Sequence, residues 1–147
     1  MQSAEGKPGR VFVIRLEDGD LLPDCLENFA DEKNIQVGLI HIVGGLREGR
    51  MVVGPETDSL DVVEPIFKEI DRQPRETISL GIIAPDREGN PRAHIHGALG
   101  RGDETAVGCL RPGIETWLMG KVIVQEITDT DSQRIYSTKN KLSYLRP

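Results

Sequence analysis

The chain begins with a β-branched run at residues 10–15 and then turns polar at Glu17, Asp18, Gly19 and Asp20, so a first strand is expected to end there. Leu22, Cys25, Leu26, Phe29 and Ala30 follow at three- and four-residue spacing and predict an amphipathic helix. Asp20 is the expected cap, Pro23 suits the first turn and Asn34 the stop. Asp24, Glu27, Asn28, Asp31 and Lys33 fall on the face expected to be solvated. After Ile35 the period shortens to two and stays there. Strands are expected at 36–43, 47–53, 77–84, 93–99, 106–110 and 116–127, with a break at Gly44-Gly45 and tight turns at 85–91, 100–105 and 111–113. Pro65 interrupts 62–70, which reads as an edge strand or an irregular segment. No second long helix, repeat or low-complexity run appears. The expected class is α+β, a mainly antiparallel β-sheet with one principal helix near the N-terminus.

Length and charge refine that picture. The 147 residues suffice for one domain with a real core. The expected divisions are an N-terminal extension at 1–9, the domain at 10–131 and a basic tail at 132–147. The 18 Lys and Arg against 24 acids give a net charge of −6. Four of the basic residues, Arg134, Lys139, Lys141 and Arg146, follow Asp131 with no acid among them. The body is therefore at −10 and the tail at +4. An acidic body opposes non-specific attraction to nucleic acid or anionic membrane. The tail is either solvated or docked on an acidic neighbour. Two cysteines, Cys25 and Cys109, are too few for a disulfide scaffold, and the first residues lack the apolar core of a signal peptide. The most apolar window, 37–46, is about half the roughly 20 residues a membrane span needs. A cytoplasmic protein is expected. With aromatics at 4%, a base-stacking platform has little to work with.

The chain has three histidines, and two stand at His94 and His96. Residues i and i+2 of a strand share a face, about 7 Å apart at Cα, close enough for both rings to reach one ion. Cys109 follows after one short turn, and antiparallel pairing would bring its sulfur to the same face. His41, flanked by isoleucines, needs a partner if buried and is the candidate fourth ligand. Such donors suit Zn²⁺ better than a hard cation. Against this, an H-x-H pair is common in strands, cysteine is often buried by packing alone, and His41 could simply bond a neighbour.

Other motifs are weaker. Gly97, Gly100 and Gly102 imitate a phosphate-binding run without the strand-to-helix crossover it requires. Arg15, Arg47 and Arg50 could line a pocket or sit in surface ion pairs. Glu48, Asp103 and Glu104 are acids that could serve as a general base near the site.

Four ordered blocks carry a family resemblance: residues 10–20, Ile42-Val-Gly-Gly-Leu46, Ala93-His-Ile-His-Gly-Ala-Leu99 and Val107-Gly-Cys-Leu-Arg-Pro-Gly113. Together they resemble the plant and prokaryote conserved (PPC) domain, in its stand-alone prokaryotic form, over about residues 10–127. The resemblance implies an antiparallel-sheet α+β fold, a homotrimer and an association with DNA. The AT-hook that reads DNA in plant members is missing, so direct DNA binding does not carry over. Where many prokaryotic relatives have a third histidine this chain has Cys109, an equally good zinc ligand. The fold is also similar to that of acetolactate decarboxylase, which holds zinc through an H-x-H pair and a further histidine.

Three functions follow. The first is a non-catalytic, zinc-containing trimeric interaction module, a candidate DNA-associated regulator of unknown biochemical role, with a closed site of His94, His96, Cys109 and either His41 or a residue from a neighbouring subunit. The alternative is a small zinc enzyme, decarboxylase- or lyase-like, acting on a carbonyl or carboxylate compound held by an arginine such as Arg47 or Arg50. The third is DNA binding through the basic tail.

Overall fold

A computed structural model describes residues 1–59, 61 and 63–147. The elements are β1 (Lys7–Glu17), β2 (Leu21–Leu22), α1 (Asp24–Glu32), β3 (Val37–Arg47), β4 (Gly49–Pro55), β5 (Pro65–Ile70), β6 (Arg75–Pro85), β7 (Pro91–Arg101), β8 (Glu104–Leu110), β9 (Ile114–Thr128), β10 (Gln133–Ser137) and β11 (Leu142–Arg146). The main sheet runs β1-β9-β3-β6-β7-β8-β4-β5, with β2 also on β9, and its pairings are antiparallel. This is the expected α+β class.

The helix forms where its apolar spacing placed it. Leu26 and Ala30 are buried, and Phe29 meets Phe12 of β1 edge to face at 5.3 Å. It ends in a Schellman arrangement. Asn34 takes a φ of 55°, its N–H donates to the Asp31 carbonyl, and the Ile35 N–H reaches back to the Ala30 carbonyl at 2.8 Å. Its start differs from expectation. Pro23 occupies the cap position with no side-chain cap, while the Asp20 carboxylate accepts the Glu17 N–H at 2.8 Å and tightens the turn instead.

Strand boundaries follow the period-two pattern, with two differences. β3 runs through Gly44-Gly45, which form a bulge against β9 rather than a break; a Cβ on Gly44 would lie 2.5 Å from the Met119 carbonyl oxygen. β1 starts at Lys7, paired with Thr128, inside the segment expected as an extension. β5 is the edge strand admitted by Pro65; the first residue of the expected 62–70 segment, Val62, lies outside the described residues. The basic tail forms a separate β10–β11 hairpin.

Alternation gives the sheet two faces of opposite exposure. Ile40, Ile42, Ile83, Ile95, Leu99, Val122 and Val124 are buried on one, with Leu26 and Ala30 of α1. The other is also apolar, yet open: Val13 is 83% exposed, Ile78 71% and Val107 61%. An uncovered apolar face of this kind is unusual in a chain that stays alone in solution.

Candidate metal centre

The centre lies on the open face, because Ile95 points into the core and its neighbours must point away. Register then fixes which side chains align. Val13 pairs with Ile123, Ile123 with His41, His41 with Leu80, Leu80 with His96, His96 with Cys109 and Cys109 with Val52, in one row across six interstrand gaps. His96 and Cys109 are direct cross-strand neighbours. His94, two residues along β7, leans toward both.

The donor atoms converge. Nε2 of His94 lies 2.9 Å from Nε2 of His96 and 3.4 Å from Sγ of Cys109, and the two imidazoles are nearly parallel. Zn–N bonds near 2.05 Å and a Zn–S bond near 2.3 Å at tetrahedral angles require N···N and N···S separations of roughly 3.4 and 3.6 Å. Those two separations need only a slight spread to accept the ion, and all three donor atoms lie within 4.8 Å of one another. Burial, and after it the charges of Arg134, His96 and Arg111, pushes the His94 imidazole down to about 4, so its nitrogen lone pair is free of protons near neutral pH.

Two glycines beside the ligands make this packing possible. A Cβ on Gly108 would lie 2.2 Å from the Val52 carbonyl oxygen, so only glycine lets β4 close on β8 next to Cys109. A Cβ on Gly97 would lie 2.2 Å from Ser79 Oγ, which is buried in a 2.7 Å hydroxyl pair with Thr77 beneath β7. These glycines serve strand packing. Gly97 and Gly100 lie within β7, so the superficial phosphate-loop pattern has no crossover in the fold.

The remaining candidates fall elsewhere. His41 is exposed in the same row, but Leu80 separates it from His96 by two strand spacings, roughly 10 Å. Arg47 is bound to Glu115 and Asp18, Arg50 stacks on Phe67 at 4.4 Å, and Arg15 pairs with Glu17. Glu48 pairs with Arg72, while Asp103 lies in the turn before β8 and Glu104 opens that strand, at its far end from Cys109.

Residues not anticipated line the cleft beside the ligands. The C-terminal hairpin is anchored by Gln133, whose amide donates to the Asp86 carbonyl at 3.1 Å, and it brings Arg134 and Tyr136 against His94 and Cys109. Arg134 is half-buried, and that burial lowers its pKa, with Cys109 and Glu27 opposing. From the other side comes Glu27, the helix residue expected in solvent. It accepts the Ala93 N–H at 2.9 Å and pairs with Arg92, which also binds Asp86. Glu27 thereby fastens α1 to the strand that carries the histidines.

The two cysteines should differ chemically. Cys25 lies on the inner face of α1, where burial, reinforced by Asp20, pushes its thiol up to about 11. Iodoacetamide at pH 8 is expected to alkylate Cys109 in metal-free protein and leave Cys25 unmodified, with zinc protecting Cys109. Peptide mass mapping checks this, and equal labelling of both thiols would contradict the placement.

A family model described as the Plants and Prokaryotes Conserved (PCC) domain matches residues 3–128. The chain belongs to that family. Solved structures agree on the fold of this PCC domain. A metal-containing protein from Archaeoglobus fulgidus is 24% identical over all of both chains, with a TM-score of 0.85. A plant- and prokaryote-conserved protein from Pyrococcus horikoshii is 18% identical over 98% of this chain and 96% of its own, with a TM-score of 0.82. A Ralstonia eutropha protein described as a candidate DNA-binding protein is 19% identical over 92% and 90%, with a TM-score of 0.71. No curated protein matches the chain. The model match stops at 128, so the hairpin carrying Arg134 lies beyond it.

Proposed function

We propose that this PCC protein is a homotrimer that holds zinc through His94, His96 and Cys109 and uses the metal's remaining position on a small molecule in the adjoining cleft. One observation carries the reading: three soft donors converge from paired strands at the rim of a cleft, and among the described residues no fourth His, Cys, Asp or Glu joins them. Structural zinc sites close with four protein ligands, whereas sites that act on a substrate keep three and leave a position open. This favours the enzymatic alternative over the closed interaction module. A His₂Cys set can also hold copper in electron-transfer sites, which add an axial thioether. Met51, beside Val52 on β4, is buried on the opposite face from Cys109, and zinc fits better.

Bound zinc would polarise an oxygen of the ligand or lower the pKa of a bound water. The chain's own part is to hold the donors on a flat, rigid pair of strands and to keep the cleft cationic at its inner end through Arg134 and Arg111. The homotrimer is supported by the uncovered apolar face. For direct DNA binding the tail offers few free charges: Arg134 turns inward and Lys139 pairs with Asp61 at 3.4 Å, which leaves Lys141 and Arg146 as its outward cations. Among the described residues no helix is long and apolar enough to cross a membrane; a cytoplasmic location is proposed on the paucity of cysteine.

Elemental analysis of protein purified without chelators tests the reading. Close to one zinc per chain is expected. Copper, or no stoichiometric transition metal, would overturn it.

A further inference from the structure

We infer that the cleft beside the histidines is a receptor for a short-chain carboxylate, bound by the metal's remaining position and by the Arg134 guanidinium; the inference rests on the zinc reading above. Arg134 is the anomaly among the cations. Arg10 is matched by Glu126, Arg47 by Glu115 and Arg92 by Glu27 and Asp86. Arg134, though half-buried, makes no hydrogen bond or ion pair with the described residues. A guanidinium withdrawn from water without a partner costs free energy that a bound anion would recover. The acids of the cleft do not supply it by contact, because Glu27 and Asp86 both bind Arg92 instead. Arg111 adds a second cation on the same side. Around the cleft four arginines, Arg87, Arg92, Arg111 and Arg134, stand against three acids, Glu27, Asp86 and Glu88, which leaves one positive charge in excess before a metal adds its own.

Shape narrows the ligand. The cleft holds about 360 Å³, the lower end of small-molecule sites. Arginine presents a planar fork that matches a carboxylate in two-point contact. On the other side of His94 and Arg134 the surface is apolar, lined by Leu39, Leu80, Ile82 and Leu145. A carboxylate with a short carbon chain can use both surfaces, whereas inorganic phosphate has nothing to place on the second. The hairpin that delivers Arg134 lies outside the family-matched segment.

The cobalt-substituted protein provides the test, titrated with butyrate and separately with inorganic phosphate, in wild type and in Arg134→Ala. Cobalt bound through Cys109 gives a thiolate charge-transfer band that reports the metal independently of any activity. Butyrate is expected to change the visible bands of the wild-type cobalt protein. Arg134→Ala is expected to keep the charge-transfer band and to bind butyrate about tenfold more weakly or worse, the loss typical of one charge-assisted hydrogen-bonded contact. Absence of the charge-transfer band in wild type would remove the metal reading and this inference with it. A normal band with no response to butyrate would leave the metal reading standing and overturn the receptor. Equal butyrate affinity in Arg134→Ala would also overturn it, as would a response to phosphate alone.

Discussion

Replacing His96 with alanine is expected to strip the protein of stoichiometric zinc while leaving the fold intact. His96 is exposed, and the only side-chain hydrogen bond it makes among the described residues is the 2.9 Å contact with His94, so its loss opens no core cavity. The metal is another matter. Four-ligand zinc sites are worth about 10–16 kcal/mol, so each donor carries roughly 3 kcal/mol and its removal lowers affinity by at least about 100-fold. His94→Ala and Cys109→Ser should behave alike, the latter because a neutral hydroxyl replaces a thiolate. His41→Ala is the informative control. Standing two strands from His96, it should retain full metal. Competition with a chromogenic chelator measures all four. Wild-type affinity in the His96 variant would dismantle the site. Loss of metal in the His41 variant would show that this histidine closes the shell and that no position is left for a ligand.

Much of this arrangement was legible along the chain, because period-two alternation states which residues share a face. His94 and His96 had to point together once Ile95 was assigned to the core. Cys109 had to come near them once the turn at 100–105 was recognised, and the observed register pairs it directly with His96. His41 shows where such reasoning stops. Its face was readable and its distance was not, because β6 inserts between β3 and β7, and strand order is set by contacts far apart in sequence. Glu27 shows a second limit. The helical period separates an apolar from a polar face, yet it cannot show that a polar residue at the boundary will meet a free N–H at Ala93. Arg134 was hidden by composition: four cations without an acid read as a tail either solvated or docked on an acidic neighbour, although Arg134-Ile135-Tyr136 already alternates as a strand does. The arginines proposed to bind a carboxylate, Arg47 and Arg50, are engaged by Glu115 and Phe67, and nothing in their local sequence announces those partners.

A double change on the open face, Val13→Glu with Ile78→Glu, is expected to convert a trimer into a 16.3 kDa monomer that still binds zinc. Both side chains are more than two-thirds exposed in the single chain, so charging them should barely affect the folded monomer. In an assembly that covers this face the same carboxylates would be desolvated in every subunit, without compensating partners, at several kcal/mol each. That asymmetry between a tolerant monomer and an intolerant assembly is what makes the pair diagnostic. The zinc ligands all come from β7 and β8 of one chain, so metal content should stay near one per chain after dissociation. Analytical ultracentrifugation with parallel metal analysis provides the measurement. A wild type that sediments as a monomer would refute the trimer outright, and a double variant that stays trimeric would place the interface on another surface. Dissociation accompanied by loss of zinc would mean that a neighbouring subunit completes the coordination shell, and the open-position reading would give way to a closed, structural centre.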